Sequence, residues 1–189
     1  MGQYFYVVNL DKRQYLHPHV FDDGLKLMEF GNSGQATLLG LTVLLADSNG
    51  HGGGDFNQFG GVQPGLAELV GSWAGDRIVF TGDYSEASYY TRGGEPINDL
   101  DHSLYETAAE RFQDISSMVI ELLLQGGEGV RFDARIMADH DGGTDAQGVV
   151  TPDYSRAQRC VELVAKLPEW AQRGHPALEH RHHQSVEVS

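Results

Sequence analysis

Three carboxylates and one imidazole in this chain could do chemistry if folding brought them together. Asp83 follows the run Ile78-Val79-Phe80-Thr81-Gly82, and Asp139-His140-Asp141 precedes Gly142-Gly143-Thr144-Asp145. Oxygen donors in a glycine-containing loop suit calcium or magnesium, and an added imidazole suits zinc, manganese or iron. A divalent cation held there would activate water while a histidine moves the proton, which is the chemistry of a metal-dependent hydrolase. Asp83 and His140 are the candidate catalytic residues; Asp83, Asp139, His140 and Asp141 are the candidate metal ligands. The plainer alternative for 139–145 is a polar turn held by Asx-type backbone bonds. His17-Pro18-His19 and His51 are further imidazoles, although the first reads more simply as a surface turn. Asp76 cannot share an ion with Asp83: seven residues of strand separate them, a span of about 23 Å.

A second group of side chains suits binding rather than reaction. Tyr84, Tyr89 and Tyr90, with Trp73 nearby, are more aromatic character than a connecting loop needs, and they form a candidate binding surface. The segment 48–61 carries glycines at 50, 52, 53, 54, 60 and 61, and long connections of this kind are often functional. Asp47, Asn49 and Gly52 match three positions of a calcium loop, but Gln58 stands where the bidentate glutamate belongs. There is no Gly-Lys-Ser/Thr ending for a phosphate loop and no Gly-x-Ser-x-Gly for a nucleophile elbow. Cys160 sits among Val161, Leu163 and Val164 and reads as a buried structural thiol.

The elements that must position these residues follow from periodicity. Residues 3–9 and 13–16 read as a β-hairpin around Asn9-Leu10-Asp11-Lys12, and Leu25 to Phe30 as a third strand. Gln35 to Asp47 reads as a buried helix and Pro64 to Val70 as a short one. Residues 77–81 form a strand between Gly-Asp turns. Ser103 and Glu106 make a capping box for a helix over 103–125, with Leu104, Ala108, Phe112, Ile115, Val119 and Leu122 as its apolar stripe. Glu106, Glu110, Asp114 and Glu121 read as its solvated side. Val130, Phe132, Ala134 and Ile136 alternate with polar residues as a strand would, and Thr151-Pro152 opens a last helix reaching Leu167. Strand 77–81, helix 103–125 and strand 130–137 have the lengths of a β-α-β crossover, which would set the two strands parallel and bring Asp83 and Asp139–Asp141 to one sheet edge.

Composition narrows the class. The chain of 189 residues holds 27 acidic and 13 basic residues, a net charge of -14. Scarce lysine and arginine disfavour nucleic acid as a partner and leave an unknown protein or small ligand; cations or a basic partner surface suit an acidic chain. The apolar run Leu38–Ala46 is far short of the ~20 residues of a membrane span. With no basic stretch and apolar core at the N-terminus, the expected location is cytoplasmic. One cysteine excludes an internal disulfide.

Two resemblances complete the reading. Met1-Gly2-Gln3-Tyr4 through Val8-Asn9, Gly24-Leu25-Lys26-Leu27-Met28-Glu29, and Trp73-x-Gly75-Asp76-Arg77 through Gly82-Asp83-Tyr84 together resemble a group of small bacterial and phage proteins. That resemblance covers the first half of the chain, carries no assigned reaction, and implies an accessory or host-conflict role. Phe80 to Tyr84 also resembles the Gly-Asp segment of metallophosphatases. There Ser85-Glu86-Ala87 replaces the expected Asp-Arg-Gly, and the other motifs of that family are absent. The expectation is a single α+β domain over 1–173, with a mixed sheet of about five strands, three main helices and one β-α-β crossover, followed by a polar, His-bearing tail over 174–189. The expected function is a non-enzymatic cytosolic binding or regulatory protein. The alternatives are the divalent-metal hydrolase and a calcium-stabilised structural domain.

Overall fold

The computed structural model describes residues 2–32, 36–48, 56, 62–85, 90–92, 95–97, 101–126 and 134–165. Tyr89, His51, most of the 48–61 segment, residues 130–133, the side chain of Cys160 and the 174–189 tail lie outside the described residues.

The fold is α+β, built on a mixed four-stranded sheet in the order β3-β1-β2-β6. Strands β1 (Phe5–Asn9) and β2 (Gln14–Leu16) form the expected hairpin. Asn9 closes it: its Oδ1 accepts the N–H groups of Asp11 and Lys12, each at 2.9 Å. The Asn9 amide also donates to Asp76 Oδ2 at 2.8 Å, so the fully buried side chain leaves no polar atom stranded. A 3-10 turn, Pro18–Phe21, follows β2.

Leu25 to Phe30 does not form a strand. Leu27–Gly31 is a single helical turn, α1, because Glu29 reaches back to the Lys26 N–H at 3.2 Å as in a capping box. Helix α2 (Thr37–Leu45) is the buried helix the apolar run predicts, and Asp23 holds its start by accepting from both the N–H and the hydroxyl of Thr37. Helix α3 (Pro64–Ala67) leads into β3 (Ile78–Gly82), which pairs antiparallel with β1. A two-stranded ribbon, β4 (Thr91–Arg92) with β5 (Glu95–Pro96), comes next.

The expected helix over 103–125 is two helices. Helix α4 (Leu104–Arg111) keeps the predicted capping box, with Ser103 Oγ accepting from Glu106 N. The chain then extends as β6 (Gln113–Asp114), parallel to β2, before α5 (Ser116–Gln125) begins. The expected strand over 130–137 is overturned from residue 134 on: Ala134–Asp141 is a helix, α6. The small ribbon of β7 (Gly143–Thr144) and β8 (Val150–Thr151) joins it to α7 (Ser155–Val164). Among the described residues the parallel pair is therefore β2 with β6.

The sheet is covered on both faces. Val7, Leu16, Phe21, Phe30, Leu44, Trp73, Ile115, Val119 and Leu122 belong to one core, and Val8, Leu10, Tyr15, Leu104 and Ala108 to the other. Gly40 marks the tightest approach within the first. A Cβ there would lie 2.8 Å from Val119 Cγ1 and 3.3 Å from the Phe21 ring. We predict that Gly40→Ala destabilises the chain by about 1–2 kcal/mol despite alanine's better helix propensity. Adding Val119→Ala should cost less than the sum of the single changes. Urea unfolding of the four chains checks this.

Candidate functional site

Strand directions decide which side chains meet. Because β1 runs against β2 and β3 while β6 runs with β2, strands β3, β2 and β6 all end on one edge of the sheet. Asp83 leaves β3 there, His17 leaves β2 and Ser116 follows β6. Tyr15 stands opposite both Val8 and Asp114, so Asp114 emerges on the face covered by α4.

Of the sequence-predicted residues, His140 and Asp141 come together at this rim, carried by the last turn of α6. Asp139 is exposed on the same turn. Asp83 does not join them. It stands three strands from Asp114, about 14 Å across the sheet, and its Oδ1 accepts the Tyr4 N–H at 2.9 Å. Among the aromatic candidates, Tyr84 is 60% exposed, while Tyr90 packs against the second core. Trp73 is no part of a surface: it is fully buried, its indole N–H donating to Gln14 Oε1 at 2.9 Å. An indole of that size fills a core, and only its N–H asks for a polar partner.

His140 sits between two carboxylates. Its Nε2 lies 2.8 Å from Asp114 Oδ2, and its Nδ1 lies 3.3 Å from Asp141 Oδ1 and 3.1 Å from Ser117 Oγ. A carboxylate beside each ring nitrogen favours the form in which both carry hydrogen, the imidazolium. Burial works against that charge, but the hydrogen bonds and charges of Asp114 and Asp141 outweigh it and push the pKa up to about 9. Burial also opposes ionisation of Asp114, yet the His140 hydrogen bond and charge, with the Ser116 bonds, hold its carboxyl below the usual range. Ser116 donates to Asp114 Oδ1 through its N–H at 2.8 Å and its hydroxyl at 2.5 Å.

Further out, Arg156 Nε lies 3.1 Å from Asp141 Oδ2, a contact with the charge of an ion pair but without hydrogen-bond alignment. Arg156 and Arg159 both reach Glu121, at 3.5 and 3.1 Å. Neither Asp114 nor Glu121 is on a solvated helix face. The side chain of Glu121 is 3% exposed, and three cations face three anions across this network.

Ser117, His140 and Asp114 have the order of a nucleophilic triad, but their hydrogen bonds run the other way. Ser117 donates to Asp141 Oδ1 at 2.6 Å and faces a protonated ring nitrogen. A catalytic serine needs a neutral imidazole to take its proton. In that protonated form His140 offers no lone pair to a metal ion. Among the described residues, no group of three His, Cys, Asp or Glu side chains is arranged to hold one.

Aromatic rings pack beside the network. Tyr6 stacks on Tyr105 with ring centroids 4.1 Å apart, and lies 4.9 Å from Tyr15 and 5.0 Å from His17. Burial, and then the neighbouring Tyr105 and Asp114, raise the Tyr6 and Tyr15 hydroxyls far above the usual phenol range, so both stay protonated. The His17 ring lies 6.0 Å from His140 and 6.2 Å from the exposed His19. Burial, aided by the charges of His140 and His19, pulls His17 down to about 4 against the opposing pull of Asp114. Its buried Nδ1 has no hydrogen-bond partner among the described residues.

Sequence reasoning missed Asp114, Ser117, Glu121 and Arg156. One signal was available: Asp114-x-Ser116 is a local side-chain-to-backbone motif, and such motifs compete with a continuous helix.

The two histidines give opposite pH limbs. His140, raised above its ordinary 6.5, contributes stability in full below that value and loses it as pH climbs toward 9. His17, lowered, resists protonation in the fold, so its contribution is lost as pH falls from 6.5 toward 4. The melting temperature should peak between these limbs. His140→Gln should lower the peak and flatten the alkaline limb, which is worth on the order of 2 kcal/mol. Asp114→Asn should cost about 3 kcal/mol by leaving the imidazolium half unpaired. Thermal melts across both limbs check all three.

Comparison with protein-family models, with curated proteins and with solved structures gives no match to this chain, so the roles assigned at the rim rest on its geometry alone.

Proposed function

We propose that the chain is a non-enzymatic cytosolic binding protein that takes a basic protein partner on the aromatic rim of its sheet. One observation carries this reading. Apart from His17, the groups at the rim that could react are already bonded to one another: both nitrogens of His140 to carboxylates, and the Ser117 hydroxyl to Asp141. What remains accessible is aromatic and imidazole surface, with Tyr4 46% and Tyr84 60% exposed and Tyr6, Tyr105 and His17 partly so. Tyrosine faces attract guanidinium and ammonium groups. A chain of net charge -14 draws in such a partner at long range. No described helix is long and apolar enough to cross a membrane, which agrees with a partner met in solution.

The hydrolase reading has one observation in its favour, the neutral His17 ring with an unpartnered nitrogen beside a cationic one. Pairs of groups with proton affinities pushed apart are a frequent acid–base arrangement. Turnover of a nitrophenyl ester or phosphate, with or without added divalent ions, that vanishes in His17→Gln but survives Tyr105→Ala would establish it in place of binding.

Fluorescence polarisation at physiological salt tests the binding proposal, using an arginine-rich peptide and an acidic peptide of equal length. The basic peptide should bind and the acidic one should not. Tyr105→Ala should weaken binding about tenfold, the worth of one desolvated cation–π contact. Binding that depends on salt but is indifferent to Tyr105 would reduce the proposal to unspecific charge attraction.

A further inference from the structure

A second surface lies on the opposite side of the sheet from β6, along the outer edge of β3. Asp83 N–H donates to Tyr4 O at 2.9 Å and Leu10 N–H to Arg77 O at 3.0 Å. The alternation of an antiparallel ladder then directs the backbone groups of Arg77, Val79, Thr81 and Asp83 toward β1. Those of Ile78, Phe80 and Gly82 point away from the sheet. Among the described residues no strand pairs with this edge, and only the Gly82 carbonyl has a partner, in Ser85. The edge is also apolar. Phe80 is 40% exposed and stacks on Phe30 at 5.9 Å, one helical turn from Leu27, which is 42% exposed. Open, apolar strands of this kind pair with other strands unless charge or proline blocks them. The outward-facing residues here are isoleucine, phenylalanine and glycine.

We propose that β3 is the contact through which two copies of this chain associate, edge to edge and antiparallel about Phe80, doubling the four-stranded sheet. The sequence of the strand is what selects a second copy over an unrelated segment. With Phe80 opposite its own counterpart, Val79 falls opposite Thr81 and Ile78 opposite Gly82. Arg77 falls opposite the second copy's Asp83, and this pairing occurs twice because a two-fold contact repeats every interaction. β-branched and opposite-charge cross-strand pairs are the favourable ones. In this register each Phe80 exchanges N–H and carbonyl bonds with the other Phe80, and each Gly82 N–H meets the other Ile78 carbonyl. The two Phe80 rings come together on the face that already holds Phe30. Arg77 is also paired with Asp11 at 2.7 Å in its own chain, so it bridges two carboxylates in the dimer. The net charge of -14 on each copy opposes the contact and limits it to moderate affinity.

Sedimentation equilibrium of the full chain tests this. At physiological salt, mass should rise from monomer toward dimer between about 5 and about 200 µM, as a concentration-dependent assembly requires. Amide exchange measured at both ends of that range should show Phe80 and Gly82 protected only at the high end, with Val79 and Thr81 protected throughout. Phe80→Lys, verified as folded by circular dichroism and melting, should weaken association at least tenfold. Met28→Lys, which changes an exposed apolar residue off the strand, should leave it intact. A chain that stays monomeric over the whole range would overturn the proposal. So would a dimer with unprotected Phe80 amides, or one disrupted as much by Met28→Lys as by Phe80→Lys.

Discussion

The rest of this structure depends on two backbone bonds at the edge of the sheet. Gln113 N–H donates to Arg13 O at 3.0 Å and Ile115 N–H to Tyr15 O at 3.2 Å. They fix a break in the helical pattern to which, locally, only the Asp114-x-Ser116 motif points, and they carry the chain from one face of the sheet to the other. As a result Leu104 and Ala108 pack on one side and Ile115, Val119 and Leu122 on the opposite side. The same crossing delivers Asp114 to the rim, where its carboxylate is the fixed partner of Tyr15, Ser116 and His140.

The polar network around His140 is a solution to a burial problem. Helix α6 packs against α7 and the Pro18–Phe21 turn, and α7 packs against α5. That arrangement places Glu121 and Asp141 where water is largely excluded. Isolated carboxylates in such places would take up protons or disrupt the packing. Here each anion faces a cation, and the short hydrogen bonds of Ser116 and Ser117 satisfy further lone pairs. Balanced charge of this kind adds little net stability over an apolar core, but losing one member leaves its partner exposed to the full desolvation penalty.

Two surfaces with different chemistry follow from the strand order. The shared ends of β3, β2 and β6 carry rings and carboxylates, suited to a cationic group. The outer edge of β3, which no strand among the described residues pairs with, carries open backbone and apolar side chains, suited to another strand. They meet at the end of β3 and diverge from there, because β1 and β2 lie between β3 and β6. A partner can occupy the rim around Tyr105 without covering Phe80.

Much of the fold was legible in residue order. The hairpin around Asn9, the apolar α2, the capping box of Ser103 with Glu106, and strand β3 all depend on contacts between residues near one another in the chain. Propensity, capping and turn chemistry act over that range, and they settle these elements. The candidate site was half legible: His140 and Asp141 stood out as residues capable of chemistry, but their company did not. Asp114 looks like one more charge on a helix face, and Ala134 to Ile136 alternate as a strand would, because three or four residues of pattern fit either period. Only tertiary structure decided that Asp114 joins the sheet edge beside His140 and that Asp83, at the same end of the sheet, stays three strands away. It also decided that Trp73 is core. The reason is that hydrogen bonding across an edge and exclusion of water are set by segments far apart in sequence, whose meeting no local pattern encodes.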